Sequence, residues 1–185
     1  MMGTQPTTLA EFLEHPHRDS HRLELLDGEI YQKPPLDPDS SALASRLGAH
    51  LDEFGFAGVE ARVMMEGRNG WGPSCPIPDV AFFMTKPQLK GDMPKTPPQL
   101  IVDIVPPKRN RLVTRGRVET FLAAGTGAIW VVDIERRCVE VYENGGRRTL
   151  SGADRITAQA VAGLAVPVST LFLDIERKAL TTRAA

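Results

Sequence analysis

Two aspartates raise the question of chemistry. Asp103 sits inside Leu100-Ile101-Val102-Asp103-Ile104-Val105, an aliphatic run fenced by Pro97-Pro98 and Pro106-Pro107. A short, β-branched, proline-bounded run reads as a buried strand. A carboxylate there is costly unless it is paired, protonated or bound to a cation. Asp79 opens a second apolar run, Val80-Ala81-Phe82-Phe83. If the two strands are neighbours, both acids meet at one place. Two strand-borne carboxylates with a basic side chain on the following helix suit phosphodiester cleavage. Hard oxygen ligands hold Mg²⁺ or Mn²⁺ loosely and leave positions for water and a phosphate oxygen. A cation beside the metal orients the nucleophile or steadies developing charge. The competing reading is plainer: strand acids are commonly satisfied by an arginine or a backbone turn.

The elements that must position these acids are legible in pattern. Leu23-Glu24-Leu25-Leu26-Asp27-Gly28-Glu29-Ile30-Tyr31 predicts a hairpin, Asp-Gly supplying the positive φ angles of a two-residue turn. Asp39-Ser40-Ser41 offers N-caps for an amphipathic helix over 41–54, with Leu43, Leu47, Leu51 and Phe54 on its apolar stripe and His50 off it. Val59 to Met65 reads as a strand, and Thr85 to Gln99, rich in proline and lysine, as an exposed loop. After the Asp103 strand, Lys108, Arg109, Arg111, Arg115 and Arg117 fall in one decade without an acid. Val113, Val118, Phe121 and Leu122 then give a helical face stopped by Gly125 and Gly127. Ala128 to Asp133 is a further buried strand containing Trp130. Arg137 to Glu143 turns back at Asn144-Gly145-Gly146 as a second hairpin. Leu164 to Val168 makes a last short strand, and Ser169 caps a terminal helix carrying Leu171, Phe172 and Ile175. These elements predict a polar segment over 1–20 and a single α/β domain over 21–180.

Composition excludes several classes. The 185 residues carry a net charge of −1, so bulk electrostatics does not draw the chain to nucleic acid, which leaves a local basic face such as the 108–117 stretch as the route. No apolar run reaches the length of a membrane span, and the first ten residues lack the features of a secretory leader. Cys75 and Cys138 match no metal or redox spacing, which fits reduced thiols in a cytoplasmic protein. His15, His17 and His21 also lack a zinc-site spacing.

Five pieces in order resemble one family: Leu23-Glu24-Leu25-Leu26-Asp27-Gly28-Glu29; Pro34-Pro35; Pro78-Asp79-Val80-Ala81; Leu100 to Val105; and Phe121-Leu122-Ala123-Ala124-Gly125 running on to Ile129-Trp130-Val131-Val132-Asp133. Over roughly residues 20–175 the chain is similar to the Uma2 family of the PD-(D/E)XK nuclease superfamily. The resemblance implies a restriction-endonuclease-like core, a mixed central β-sheet with an N-terminal hairpin and flanking helices, assembled as a homodimer. It implies Mg²⁺-dependent cleavage of DNA. By the resemblance, Asp79 is the aspartate of the Pro-Asp motif, and Asp103 stands where the family has glutamate. Arg117 stands where the family has the lysine of the following helix. Glu24 and Glu29 match acids of the first hairpin, one or the other of which helps hold metal-bound water, and Glu29 is placed among the candidate catalytic residues. Ser40 and Pro106 replace a histidine and the serine of a serine-proline pair.

These departures carry chemical weight. Aspartate shortens the ligand by one methylene, and a guanidinium binds phosphate but cannot lose its proton to act as a base. Two functions therefore stand side by side. One is a Mg²⁺-dependent DNA endonuclease with Asp79 and Asp103 as metal ligands. Lys108, Arg109, Arg111 and Arg115 would then lie on DNA phosphates. The other is a catalytically silent homodimer that binds nucleic acid or serves as an interaction module. Trp71, in a glycine loop, is suited to a base stack or a dimer contact. Either way, Asp79, Asp103 and Arg117 are expected around a pocket open to solvent.

Overall fold

The computed structural model describes residues 6–67, 72–94, 96–105 and 111–173, with the backbone alone over 111–114. The expectations for Trp71, Pro106, Lys108, Arg109 and Ile175, and for the side chain of Arg111, lie outside the described residues.

A short helix α1 (Leu9–Leu13) is started by a capping box between Thr8 and Glu11. The predicted hairpin follows as β1 (Leu23–Leu26) and β2 (Glu29–Gln32), with Asp27 at φ 49° and Gly28 at φ 84°. Both turn residues hold the positive φ of the tight hairpin turn that Asp-Gly favours.

Helix α2 (Pro38–Asp52) begins three residues earlier than the sequence pattern suggests, because Asp37 is the N-cap. Its Oδ1 accepts from the Asp39 and Ser40 N–H groups, each at 3.0 Å, and Pro38 fills the first turn, where no N–H is needed. Leu43, Leu47 and Leu51 are fully or almost fully buried, as the stripe requires. Phe54 lies past the helix end and packs on the core from there.

The next strand is β3 (Phe56–Val59), not Val59–Met65. Beyond Val59 the chain leaves the sheet, Glu60 taking φ 50°, and Met65 makes only an isolated bridge to Ser74. Strand β4 (Val80–Phe83) follows Asp79 directly. The stretch over 85–99 is more ordered than its composition suggests: β5 (Leu89–Lys90) and β6 (Met93–Pro94) form a small hairpin. Buried Met93 pins that hairpin to Phe12, Leu23 and Leu25.

Strand β7 (Leu100–Val105), helix α3 (Arg111–Ala123) and strand β8 (Ala128–Asp133) form a parallel crossover unit. The helix supplies the long connection that a parallel pair needs. Gly125, at φ 92°, ends it. Leu122 is exposed rather than on the apolar face, whereas Val118 and Phe121 are buried. Strands β9 (Cys138–Glu143) and β10 (Gly146–Ser151) complete a six-stranded sheet in the order β10-β9-β8-β7-β4-β3. The last pieces are β11 (Arg155–Ile156), β12 (Val166–Pro167) and a four-residue helix α4 (Val168–Leu171). The residue before α4 is Pro167, with no side-chain cap, so Ser169 lies inside the helix rather than at its start.

Alternation along the central strands sorts the sheet into two faces. Val80, Phe82, Leu100, Val102 and Ile104 face α2 and its leucines. Ala81, Phe83, Ile101, Val105, Ile129 and Val131 pack with Val118 and Phe121 of α3 on the other face. Each fully buried aliphatic or aromatic side chain contributes roughly 1.5–3 kcal/mol, so the two faces together hold the helices firmly on the sheet. Among the described residues, no helix is long and apolar enough to cross a membrane.

Candidate functional site

Asp103 occupies the α3 face of β7 by the same alternation that places Ile101 and Val105 there. The antiparallel pairing of β4 and β7 sets Val80 opposite Val102. Carried one residue further, it sets Asp79 opposite Asp103. The two acids therefore meet, as the spacing of the strands suggested. Arg117 comes down onto them from α3, because Val118 and Phe121 anchor that helix to the same face.

They are buried rather than set around an open pocket among the described residues. Asp79 is fully buried, and Glu24, Lys33, Asp103 and Arg117 are each at most 4 % exposed. Arg117 forks onto Asp103, its Nε donating to Oδ2 at 2.7 Å and its Nη2 to Oδ1 at 3.2 Å. Its Nη1 donates to Glu24 Oε2, 2.5 Å away, and the guanidinium carbon lies 5.3 Å from the centre of the Phe121 ring. The Lys33 ammonium pairs with Asp79 Oδ1 and donates to the Ile77 carbonyl at 2.5 Å. The other Asp79 oxygen accepts the Ile104 N–H at 2.5 Å. Ile77 ties the cluster together. Its N–H goes to Glu24 Oε1 at 2.6 Å, and its carbonyl also receives Arg117 Nη2 at 3.5 Å.

Burial and the neighbouring Asp103 carboxylate push the Asp79 carboxyl above its ordinary pKa, against the pull of Lys33. For Arg117, burial works to lower the pKa, but Asp103 and Glu24 outweigh it and hold the guanidinium well above its usual value. Arg117 is therefore a permanent cation with no role as a base.

The hairpin acids separate. Glu24 joins the cluster, whereas Glu29 lies on the exposed strand β2 with its carboxylate on the Tyr31 hydroxyl. Arg115 is on the solvent side of α3, 79 % exposed at its side chain, and pairs with Glu119 at 3.2 Å. Ser40 is buried, but its hydroxyl donates to Asp37 at 2.7 Å. Among the described residues, cavities lie elsewhere. One of about 490 Å³ is lined by Val105, Arg115, Glu119, Tyr142 and Arg147. Another of about 470 Å³ is lined by Arg22, Phe56, Arg62, Lys86 and Asp92. Neither is lined by Asp79 or Asp103.

Lys33 is the member that sequence reasoning missed. Its signal was present in the hairpin register: Tyr31 pairs with Glu24, and Lys33 lies two residues beyond Tyr31 on the same alternation. An acid and a base predicted on one face of a two-stranded ribbon are candidates for a shared buried site.

The Uma2 family profile, described as "putative restriction endonuclease", matches residues 9–169. The chain belongs to the Uma2 family. That span contains Glu24, Lys33, Asp79, Asp103 and Arg117, so the whole cluster falls within the Uma2 domain. A crystal structure described as a "putative nuclease belonging to DUF820" from Anabaena variabilis ATCC 29413 superposes with a TM-score of 0.76. It is 22% identical, and the match covers 91% of this chain and 98% of that one. The mixed sheet with flanking helices is thus a nuclease fold. No curated protein matches the chain.

The metal that such a nuclease fold implies can be tested against these residues. A divalent cation of the Mg²⁺ type takes several oxygen ligands and keeps waters of its own. Both Asp79 oxygens are occupied by Lys33 and Ile104, and both Asp103 oxygens by Arg117. Glu24 is held by Arg117 and Ile77. As arranged, the residues do not fit the ion. The donors have the right chemistry, but protein cations hold them.

Proposed function

We propose that this Uma2 protein is directed to DNA on a restriction-endonuclease-like core and binds it without metal-dependent hydrolysis at Asp79 and Asp103. The observation that carries the second half of this reading is the Lys33 ammonium on Asp79 beside the Arg117 fork on Asp103, all of it buried. Family membership supports the first half, together with the basic decade that runs from Lys108 into α3. Arg115, exposed at the start of that helix, is a suitable phosphate contact. A homodimer in the cytoplasm is the form in which the protein would act.

A second reading is favoured by the convergence of three acids in one cluster of a nuclease-family domain. In it the protein is a Mg²⁺- or Mn²⁺-dependent DNA endonuclease, hydrolysing phosphodiesters at Asp79 and Asp103. One pair of assays separates the two. Fluorescence anisotropy with a labelled duplex in EDTA is expected to show salt-dependent binding that weakens in Arg115→Ala. Incubation of supercoiled plasmid with Mg²⁺ or Mn²⁺ is expected to leave it intact. Nicking that requires metal and vanishes in Asp79→Ala would establish the second reading instead.

A further inference from the structure

Among the described residues, the buried cluster holds more carboxylates than cations. Glu24, Asp79 and Asp103 bring three carboxylates, and Arg117 and Lys33 bring two cations. Without Lys33 the other four described members, Glu24, Asp79, Asp103 and Arg117, carry a formal −2, the charge that one divalent ion neutralises. The Lys33 ammonium lies against a carboxylate oxygen of Asp79 and the main-chain carbonyl oxygen of Ile77. Those are hard oxygen donors, the kind that a Mg²⁺-type ion selects. The side chain that delivers the charge is 1 % exposed and is tethered at the end of β2, where the Lys33 N–H is fixed to the Arg22 carbonyl at 3.0 Å.

We infer that Lys33 is a built-in replacement for the divalent cation, its ammonium occupying the seat that a metal would take between Asp79 and Ile77. The inference rests on the reading that these acids are the remains of a nuclease centre, and it adds the residue that closed it. A monovalent cation on a fixed stem neutralises Asp79 but brings no exchangeable water and no empty coordination position. It therefore meets the structural need of the buried acids while removing the source of a metal-bound nucleophile. Removing the ammonium should reopen the seat, because Asp79 and Ile77 would keep their oxygens and lose their cation.

The test is thermal melting of the full chain in EDTA and in a Mn²⁺ series, for the parent, Lys33→Ala and Lys33→Ala/Asp79→Asn. Lys33→Ala is expected to melt lower than the parent in EDTA. It should recover roughly 5–10 °C once Mn²⁺ reaches a hundredfold excess over its Kd. The parent and the double variant are expected not to respond. Should Lys33→Ala fail to fold in EDTA, Lys33→Met carries the same readout, its unbranched side chain filling most of the vacated volume. A Lys33 variant no more stabilised by Mn²⁺ than the parent would overturn the inference. So would a parent that is itself stabilised through Asp79. Absence of duplex binding in the anisotropy assay would count only against the DNA-directed reading, so the two failures are distinguishable.

Discussion

Asp79 and Asp103 stand opposite each other one step beyond the Val80–Val102 pair, and each is held by a different cation, Lys33 on the first and Arg117 on the second. Burial first, and then repulsion from the Asp103 carboxylate, raise the Asp79 pKa. The cations are thus structural members of the sheet–helix interface, whatever the cluster once did.

Removal of Arg117 tests that role. Arg117→Ala leaves Asp103 and Glu24 buried without their shared partner, and a loss of about 3–5 kcal/mol is expected. Arg117→Lys should lose less, since an ammonium keeps the charge but cannot fork onto Asp103 while reaching Glu24. Urea unfolding of the three proteins checks the order. Equal stability of parent and Arg117→Ala would mean that the buried pairs do not hold the helix to the sheet.

The first hairpin depends on Gly28. Its φ of 84° suits glycine, and an added Cβ would run into the Pro6 side chain. Gly28→Ala is expected to destabilise by about 1–3 kcal/mol. Because the hairpin carries both Glu24 and Lys33, the same variant should expose the cluster to faster amide exchange at Ile104, whose N–H is held by Asp79. Unchanged exchange there would separate the hairpin from the cluster.

Asp37 caps the helix that backs the opposite face of the sheet. Burial works to raise its pKa, but the Ser40 hydroxyl and the Ser40 and Asp39 N–H groups hold it below the usual carboxylate value. A depressed native pKa contributes stability that is present above the unfolded value of 3.8 and fades as pH falls through the native one. Asp37→Ala is expected to lose about 1 kcal/mol at neutral pH. The difference from the parent should shrink in acid, as followed by urea midpoints across a pH series.

Cys75 supplies a titration at the alkaline end. Burial pushes its thiol up to about 11 from 9.0, against Arg62 and Arg18. Here the native pKa is the higher one, so the contribution to stability is present below pH 9 and lost as pH rises towards 11. The fall attributable to this residue is about 2–3 kcal/mol across that window. Cys75→Ala should flatten the slope by that amount, and native Cys75 should resist alkylation at neutral pH.

The paired acids, the Asp-Gly hairpin and the β7–α3–β8 unit were all legible in the sequence, because each is written in local periodicity and turn chemistry. What escaped was set by long-range pairing. Arg117 was legible as a neighbour of the two acids. That its guanidinium is already committed to Asp103, Glu24 and the Ile77 carbonyl was not. Lys33 was not singled out in the sequence, and only the register of Tyr31 against Glu24 brings it inward. The N-cap at Asp37 was missed in favour of Asp39, Ser40 or Ser41 because Pro38 moves the helix start forward. The strand expected over 59–65 failed because the chain turns away at Glu60, a positive-φ residue that no local signal marks.

The most direct measurement is anomalous scattering from crystals of the full chain grown in excess Mn²⁺. The expected result is Lys33 in contact with Asp79 and Arg117 forked onto Asp103, with no manganese peak at either carboxylate. A peak bridging Asp79 and Asp103, with the Lys33 ammonium swung out of its place, would contradict the account and return the cluster to the metal-dependent nucleases.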